Sequence, residues 1–257
     1  MLTIVVSNQK GGVGKTTTCI NLAAELGKRG FSVLAVDMDP QANCTSGLGV
    51  NSSALKASLY NVLLGDLPAL EAVIPTAWRG VSLLPSSLDL AGAEIELAST
   101  ISRETKLKRQ LEKIEGFDIA VVDCPPSLGI LTLNALSACD RLLVPIQCEY
   151  YALEGVGQLV RTVDLIRETL NPSLAVSGIL LTLYDSRTRL ANEVVEEVRR
   201  QFGSTVFETI VPRNVKLSEA PSYGSPIAYY EANSTGAQAY DELAREVVER
   251  WLTTPRP

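Results

Sequence analysis

Histidine is absent from the 257 residues of the chain. Its absence excludes a Ser-His-Asp triad, imidazole general-base catalysis and any histidine-ligated zinc site. The sequence also lacks an uninterrupted apolar run of the roughly 18–20 residues that span a bilayer. It shows no charged leader followed by a separate apolar stretch. We therefore expect a cytoplasmic protein without a membrane-spanning helix.

The five cysteines form no C-x-x-C pair and stand in apolar or small-residue surroundings. This placement favours buried, reduced thiols and argues against metal-thiolate chemistry. The cysteines are Cys19, Cys44, Cys124, Cys139 and Cys148.

Positive charge is in deficit, since 23 lysines and arginines stand against 29 aspartates and glutamates, a net charge of −6. This balance argues against a globally basic nucleic-acid-binding surface, so any contact with DNA must be local. Hydrophobic residues make up 46% of the chain, which is enough for one substantial core. We predict a single domain over residues 1–257.

Short apolar, β-branched runs alternate with longer helical patterns along the chain. Several runs are apolar on both faces, as strands covered by helices on each side require. The predicted strands span residues 3–7, 32–37, 81–85, 118–123, 141–147, 176–183 and 205–211. The predicted helices span residues 15–29, 103–114, 152–170, 191–202 and 236–252. This order predicts a doubly wound α/β fold, a mostly parallel sheet flanked by helices, with ligands at the carboxyl ends of the strands.

A glycine-rich segment, residues 8–17 (Asn-Gln-Lys-Gly-Gly-Val-Gly-Lys-Thr-Thr), lies between the first strand and the first helix. This context is typical of a phosphate-binding P-loop. Its glycines allow positive φ angles that turn backbone N–H groups inward, and the following helix N-terminus adds to the nest. In this pattern Lys15 holds the β- and γ-phosphates and Thr16 coordinates Mg²⁺. The predicted nucleotide cradle consists of Gly11, Gly12, Val13, Gly14, Lys15, Thr16 and Thr17. Lys10, at the start of the loop, adds nothing to an ordinary cradle and on its own is most simply a solvated cation.

Three aspartates follow strands whose carboxyl ends face the P-loop. Asp37 and Asp39 close the second strand, where the alternative is a pair of turn-forming aspartates before a proline. Hydrolysis needs a group that positions or deprotonates water, and without histidine a carboxylate is the natural candidate. Asp123 closes an apolar strand, which is the arrangement of a Walker B aspartate that holds Mg²⁺.

The sequence Lys-Gly-Gly-Val-Gly-Lys-Thr-Thr resembles the deviant Walker A motif of the ParA/MinD ATPases. Asp37-x-Asp39-Pro-Gln and Asp123-Cys-Pro-Pro-Ser resemble the switch I and switch II segments of ParA proteins. Other segments, among them residues 45–49, 90–97 and 147–155, look like the short chromosomal ParA (Soj) proteins. The resemblance implies ATP and Mg²⁺ as cofactors and a homodimer that encloses ATP. It also implies catalytic roles for Lys10 acting in trans, for Lys15 and for Asp39. Thr16 and Asp123 are the expected metal ligands, and Asp37 is expected to be a supporting magnesium or switch residue.

Pro212-Arg213-Asn214 follows the last strand and, from its residues alone, is merely a turn. Its likeness to the ParA adenine loop implies that Pro212 packs on the base and that Asn214 forms a hydrogen bond with it. The guanine-reading Asn-Lys-x-Asp pattern is absent. Adenine is therefore the expected base.

Cationic residues gather in the second half of the chain. From spacing alone we favour solvated charges, partly paired with Glu193, Glu196 and Glu197. The resemblance instead implies non-specific binding of double-stranded DNA through phosphate contacts. The candidate DNA-binding residues are Arg187, Arg189, Arg213 and Lys216.

Taken together, the resemblance implies an ATPase that partitions chromosomal or plasmid DNA. It is expected to be weak alone, to be stimulated by a ParB-like centromere-binding partner, and to associate with the nucleoid in the cytoplasm. The alternative is a MinD-like ATPase that binds membranes through a C-terminal amphipathic helix. Residues 243–252 do form an apolar stripe, but core packing explains it better. The polar face of the helix carries Glu242, Glu246 and Glu249 beside only Arg245 and Arg250, a poor match to anionic lipid. A metabolic P-loop enzyme that transfers phosphate to a small molecule is a further alternative.

Overall fold

The computed structural model describes residues 1–65, 67–149 and 152–253. In these residues eight strands form one sheet in the order β3-β4-β2-β5-β1-β6-β7-β8. The strands are β1 (Leu2–Val6), β2 (Val33–Asp37), β3 (Ile74–Pro75), β4 (Val81–Leu84), β5 (Ile119–Asp123), β6 (Arg141–Gln147), β7 (Val176–Tyr184) and β8 (Val206–Pro212). Only the short edge strand β3 is antiparallel to its neighbour among these strands. The predicted mostly parallel sheet is confirmed.

Helices connect the strands and cover both faces of the sheet. They are α1 (Lys15–Lys28), α2 (Asn43–Gly47), α3 (Leu59–Leu64), α4 (Ala69–Ala72), α5 (Leu90–Glu96), α6 (Lys106–Leu111), α7 (Ile130–Ser137), α8 (Ala152–Thr169), α9 (Arg189–Phe202), α10 (Val215–Glu219), α11 (Ile227–Tyr230) and α12 (Thr235–Val247). A π-helical turn, Val248–Leu252, continues α12. Short 3₁₀ turns lie at Ser52–Ala54, Leu97–Ser99, Arg103–Thr105, Gly203–Thr205 and Ala220–Tyr223.

The hydrophobic core has two layers, one on each face of the sheet. Strand β1 shows the division, because Val5 packs into one layer while Ile4 and Val6 pack into the other. This alternation follows from the two-residue repeat of a strand, and it requires apolar side chains at every position of a strand buried on both faces. The order of strands places the carboxyl ends of β1, β2 and β5 next to one another.

All seven predicted strands are present, with ends that differ by one residue or agree. The predicted helix at 103–114 is shorter than expected, since it begins as a 3₁₀ turn and its α-helical part, α6, ends at Leu111. Several elements were not predicted, namely β3, α2, α3, α4, α5, α7, α10 and α11. All eight are only two to eight residues long and are too short to show a clear periodicity.

Candidate functional site

The P-loop connects β1 to α1 and is shaped by two left-handed glycines. Gly12 has φ 73° and Gly14 has φ 86°, whereas Gly11 lies outside the left-handed region, so the expectation of positive φ at all three glycines was wrong for Gly11. Gly14 is the N-cap of α1, and no side chain caps that helix end. The first N–H groups of this 14-residue helix therefore remain available to an anion.

Contacts from other strands hold the P-loop in place. The Thr182 hydroxyl at the end of β7 donates to the carbonyl of Val13 at 2.9 Å. The Asn8 amide donates to the carbonyl of Pro145 in β6 at 2.7 Å, and its Oδ1 accepts from the N–H of Lys10 at 3.0 Å. The loop is thus preorganised by β6 and β7.

The two lysines of the loop have different environments. Lys15 is buried, and its ammonium donates to the carbonyl of Lys10 at 3.0 Å across the loop. Burial lowers the pKa of Lys15, and the nearby Asp123 charge opposes that shift. Lys10 lies at the rim with its side chain 35% exposed, and its Nζ is 3.9 Å from Glu149 Oε2.

Asp37 is fully buried at the end of β2, and its carboxylate is engaged by the protein. Its Oδ2 accepts from the N–H and the hydroxyl of Thr45 at 2.8 and 2.7 Å, and its Oδ1 accepts from the N–H of Asp39 at 3.1 Å. Burial raises the pKa of Asp37 to about 6, although the Thr45 hydrogen bonds oppose the shift. These contacts fix the segment that carries Asp39, whose Oδ1 accepts from the N–H of Gln41 at 2.9 Å.

Asp123 differs from Asp37 in having no hydrogen bond to its carboxylate. It is fully buried, and neither carboxyl oxygen has a hydrogen-bond partner among the described residues. Burial raises its pKa well above the usual value, Asp37 adds to the shift, and the nearby Thr16 hydroxyl and Lys15 ammonium oppose it. Buried polar atoms are nearly always satisfied, so orphaned carboxylate oxygens beside a threonine hydroxyl fit a divalent cation. The metal ligands predicted as Thr16 and Asp123 lie together, while Asp37 is positioned to support them.

All five cysteines are buried, as predicted. Burial raises the pKa of each thiol, most strongly for Cys19, Cys44 and Cys124 near the carboxylates. These thiols are therefore protonated and form apolar packing rather than reactive groups.

Two adjoining cavities open beside the P-loop. The larger, of about 710 Å³, is bordered by P-loop residues together with Asp39, Ala91 and Pro126. The smaller, of about 340 Å³, lies towards α10 and α12 and is bordered by Asn214 and Tyr240. Six residues border both, namely Gly14, Thr16, Thr17, Asn43, Leu183 and Ser218. The pair of cavities offers one compartment for phosphates beside the P-loop and a second, adjoining compartment for a base.

The predicted base-binding residues differ in their placement. Asn214 borders the smaller cavity, but its amide also serves the protein, since Oδ1 accepts from the N–H of Lys216 at 2.8 Å and Nδ2 donates to Thr235 at 2.8 Å. It is the N-cap of α10. Pro212 is half-buried and does not border this cavity, which is lined instead by Val211. The roles of Pro212 and Asn214 in reading adenine stay predictions.

The four candidate DNA-binding residues all have carboxylate partners in the protein. Arg187 lies 2.7 Å from Asp185, Arg189 2.7 Å from Glu193, Arg213 3.4 Å from Glu149 and Lys216 2.8 Å from Glu219. Hydrogen bonds from Arg187 lower the pKa of Asp185 to about 2. Such exposed pairs are weak, so phosphate groups can compete for these cations.

Some residues around the cavities were not predicted. Leu183 and Tyr240 carry no sequence signal of a nucleotide site, and Tyr240 is buried with its hydroxyl 3.2 Å from that of Thr18. Gly49 and Gly224 meet backbone to backbone, so that a Cβ on Gly224 would lie 2.6 Å from the Cα of Gly49. This contact joins the segment after α2 to the segment after α10.

Within the described part of the chain, no helix is long and apolar enough to cross a membrane. The apolar stripe near the C-terminus packs into the core, because Leu243 and Val247 are fully buried and Trp251 is 7% exposed. Trp251 also packs edge-on against Phe207 of β8, with ring centroids 5.4 Å apart. The interpretation of this stripe as core is confirmed.

A phosphate-binding loop at the carboxyl ends of a parallel sheet, beside a carboxylate suited to a cation, defines a P-loop NTPase, and solved structures agree. Cobyrinic acid a,c-diamide synthase from Mycobacterium smegmatis, with a bound ATP analogue and magnesium, is 41% identical with a TM-score of 0.86, covering 98% of this chain and 96% of that one. The cell division ATPase MinD of Pyrococcus furiosus is 27% identical with a TM-score of 0.80, covering 96% and 98%.

Sequence relatives define the family more narrowly. A family model described as an AAA domain matches residues 1–176. Chromosome partitioning protein ParA of Myxococcus xanthus is 52% identical, covering 96% of this chain and 88% of that protein. Sporulation initiation inhibitor protein Soj of Bacillus subtilis is 50% identical, covering 95% and 97%. The chain belongs to the ParA/Soj family of chromosome-partitioning proteins, as the resemblance of its motifs implied.

Proposed function

We propose that this protein is an ATP-dependent DNA-partitioning ATPase, with residues 1–257 acting as one domain in the cytoplasm at the nucleoid. The observation that carries the proposal is the separation of the two P-loop lysines. Lys15 is buried inside the loop, where it can hold phosphates of the protomer's own nucleotide. Lys10 stands at the exposed rim, where its amine can reach a second protomer.

The described residues divide the work of hydrolysis. The P-loop amides and Lys15 bind the phosphates, and Thr16 and Asp123 hold Mg²⁺, which neutralises phosphate charge when bound. Asp39 borders the phosphate cavity and is held by the Asp37 and Gln41 contacts, so its carboxylate can orient water or accept its proton. Lys10 of each protomer adds positive charge at the other's phosphates.

DNA binding in this proposal depends on dimerisation. In each protomer the four candidate DNA-binding cations are already paired with carboxylates, and the net charge is −6. Two copies of such a patch on one DNA duplex bind far more tightly than one, because the second contact is intramolecular. ATP occupancy thereby controls DNA affinity, and a ParB-like partner that stimulates hydrolysis releases the protein.

The proposal is tested by measuring the oligomeric state with light scattering. The samples contain Mg²⁺ with ATP, a non-hydrolysable ATP analogue, ADP or no nucleotide. We expect a dimer with the analogue, a monomer without nucleotide, and DNA co-sedimentation only under dimer-forming conditions. Asp39→Ala should bind ATP and accumulate dimer because hydrolysis is lost. Lys10→Ala should bind nucleotide but stay monomeric. If the protein remained monomeric with the non-hydrolysable analogue at every protein concentration, the proposal would be contradicted.

The same samples separate the alternatives. Co-sedimentation with anionic vesicles and not with DNA would favour a MinD-like ATPase, whose fold the archaeal MinD structure shares. ATP turnover that requires a small-molecule acceptor, with neither DNA nor a protein activator, would indicate a metabolic enzyme such as the one named for the mycobacterial structure.

A further inference from the structure

Leu183, in β7, has an unusual backbone conformation. Its φ is +52°, in the left-handed region, where only two other non-glycine residues of the described chain lie, Ala42 and Ser102. Left-handed backbone is unfavourable for most L-residues, and asparagine, aspartate and glycine are the residues that adopt it most readily. A leucine here is therefore unexpected on local grounds.

The residues on both sides of Leu183 hold it in this conformation. The Thr182 hydroxyl donates to Val13 in the P-loop, and the Thr182 carbonyl accepts from the N–H of Cys148 at 3.0 Å. On the other side, the Tyr184 carbonyl accepts from the N–H of Arg213 at 2.9 Å. The pairing of β7 with β8 shifts register between Leu181 and Tyr184, as in a β-bulge, and bulges redirect side chains near active sites.

The redirected side chain stands where the two cavities meet. Among the described residues that border both, Leu183 has the sole aliphatic side chain without a polar group, since the others are a glycine, an asparagine and hydroxyl residues. Leu183 is half-buried, so apolar surface is still exposed at the junction. A nucleotide that puts phosphates in one cavity and a base in the other must cross this point with its sugar.

We propose that Leu183 is a nucleoside-positioning residue. Its strained backbone turns the isobutyl group against the sugar and base of the bound nucleotide, and so sets the direction in which the nucleoside leaves the P-loop. Strain persists where the surrounding structure over-determines it, and such positions cluster at ligand sites. This inference rests on the proposed function, since it requires that the protein bind ATP.

The test measures the binding of two ligands, ATP and inorganic triphosphate, each in the presence of Mg²⁺. Inorganic triphosphate lacks the nucleoside. Leu183→Gly removes both the strain and the side chain, so the nucleotide-free variant should unfold at the same or a higher temperature than the parent. Its ATP affinity should fall about tenfold, the scale of losing about half of the apolar burial of a leucine. Its affinity for inorganic triphosphate should change less than about twofold, because the P-loop is intact.

Two further variants keep the test informative if the glycine variant folds poorly. In Leu183→Asn the new side chain suits the left-handed backbone but is polar, so the variant should lose affinity for ATP as the glycine variant does. Leu183→Met keeps an apolar side chain that is not branched at Cβ, and its affinity for ATP should be close to that of the parent.

The outcomes that overturn the proposal are distinct. Equal losses for ATP and inorganic triphosphate would show that Leu183 acts through Thr182 and the P-loop. Unchanged ATP affinity in the asparagine variant would show that the residue serves the strand alone. The proposal would also be overturned if the parent protein bound ATP no more tightly than inorganic triphosphate. A parent protein that binds neither ligand would instead refute the proposed ATPase function itself.

Discussion

Neutralising Asp123 should stabilise the nucleotide-free protein. Asp37 and Asp123 are paired across neighbouring strands, both fully buried, so two like charges face each other in the core. Asp37 accepts hydrogen bonds from Thr45 and Asp39, whereas neither oxygen of Asp123 has a hydrogen-bond partner in the described part of the chain. Lys15 attracts Asp123, but burial and the Asp37 charge outweigh this attraction, as the raised pKa of Asp123 shows.

The magnitude follows from the missing hydrogen bonds. A buried acceptor without a partner costs about 1–3 kcal/mol, and more when it is charged. We therefore expect Asp123→Asn to raise the free energy of unfolding at pH 8 by about 1–3 kcal/mol. For a protein of this size that corresponds to a melting-temperature increase on the order of 5 °C.

The effect should depend on pH with a definite sign. Both carboxyl groups have raised pKa values in the folded protein, about 6 for Asp37 against 3.8 when unperturbed. For each of these groups the folded state binds more protons than the unfolded state. The contribution of Asp37 to stability is therefore present below about pH 4 and is lost as pH rises through about 6, and that of Asp123 is lost as pH rises through its own raised pKa. The gain from Asp123→Asn should accordingly shrink at pH 5.

Urea unfolding in EDTA at pH 5 and pH 8 measures this difference, with Asp140→Asn as the control. Asp140 is exposed and accepts from the N–H of Thr3 at 2.8 Å, so its variant should show no gain. With Mg²⁺ and nucleotide at 100 times the dissociation constant, the parent should gain about 2.7 kcal/mol and Asp123→Asn less. A less stable Asp123→Asn protein in EDTA at pH 8 would refute the reasoning.

Other substitutions address separate parts of the molecule. Lys15→Ala should abolish nucleotide binding in calorimetry, because the loop loses its buried ammonium; normal affinity would remove the P-loop assignment. Arg187→Glu should weaken DNA co-sedimentation while sparing the analogue-induced dimer, and unchanged DNA affinity would make that arginine ordinary solvated surface. Gly224→Ala should lower the free energy of unfolding by more than about 1 kcal/mol, since φ is +60° and the new Cβ meets Gly49. Gly116→Ala, with φ +88° in open space, should cost less; equal costs would show that the contact with Gly49 contributes nothing.

The parts of the fold that the sequence predicts are those with a local signal. Strand β1, the P-loop and α1 follow from an apolar run, closely spaced glycines and a helical pattern that lie next to one another in the sequence. Strand β3 has two residues, one of them a proline, and its pairing comes from β4 rather than from its own pattern.

In the candidate site, too, the features that the sequence does not predict depend on contacts between residues far apart in the chain. The residue types of Asp37 and Asp123 indicated a metal site, but only the fold reveals that one carboxylate is occupied by Thr45 and the other is free of hydrogen bonds. Leu183, with its left-handed backbone, directly follows Thr182, whose hydroxyl forms a hydrogen bond with the carbonyl of Val13, 169 residues away in the chain. No local pattern encodes such a contact.

The touching backbones of Gly49 and Gly224 have a mechanical consequence. Because neither glycine has a side chain, the stretch after α2 and the stretch after α10 pack backbone to backbone, next to residues of both helices that border the smaller cavity. Displacement of either stretch must drag the other with it.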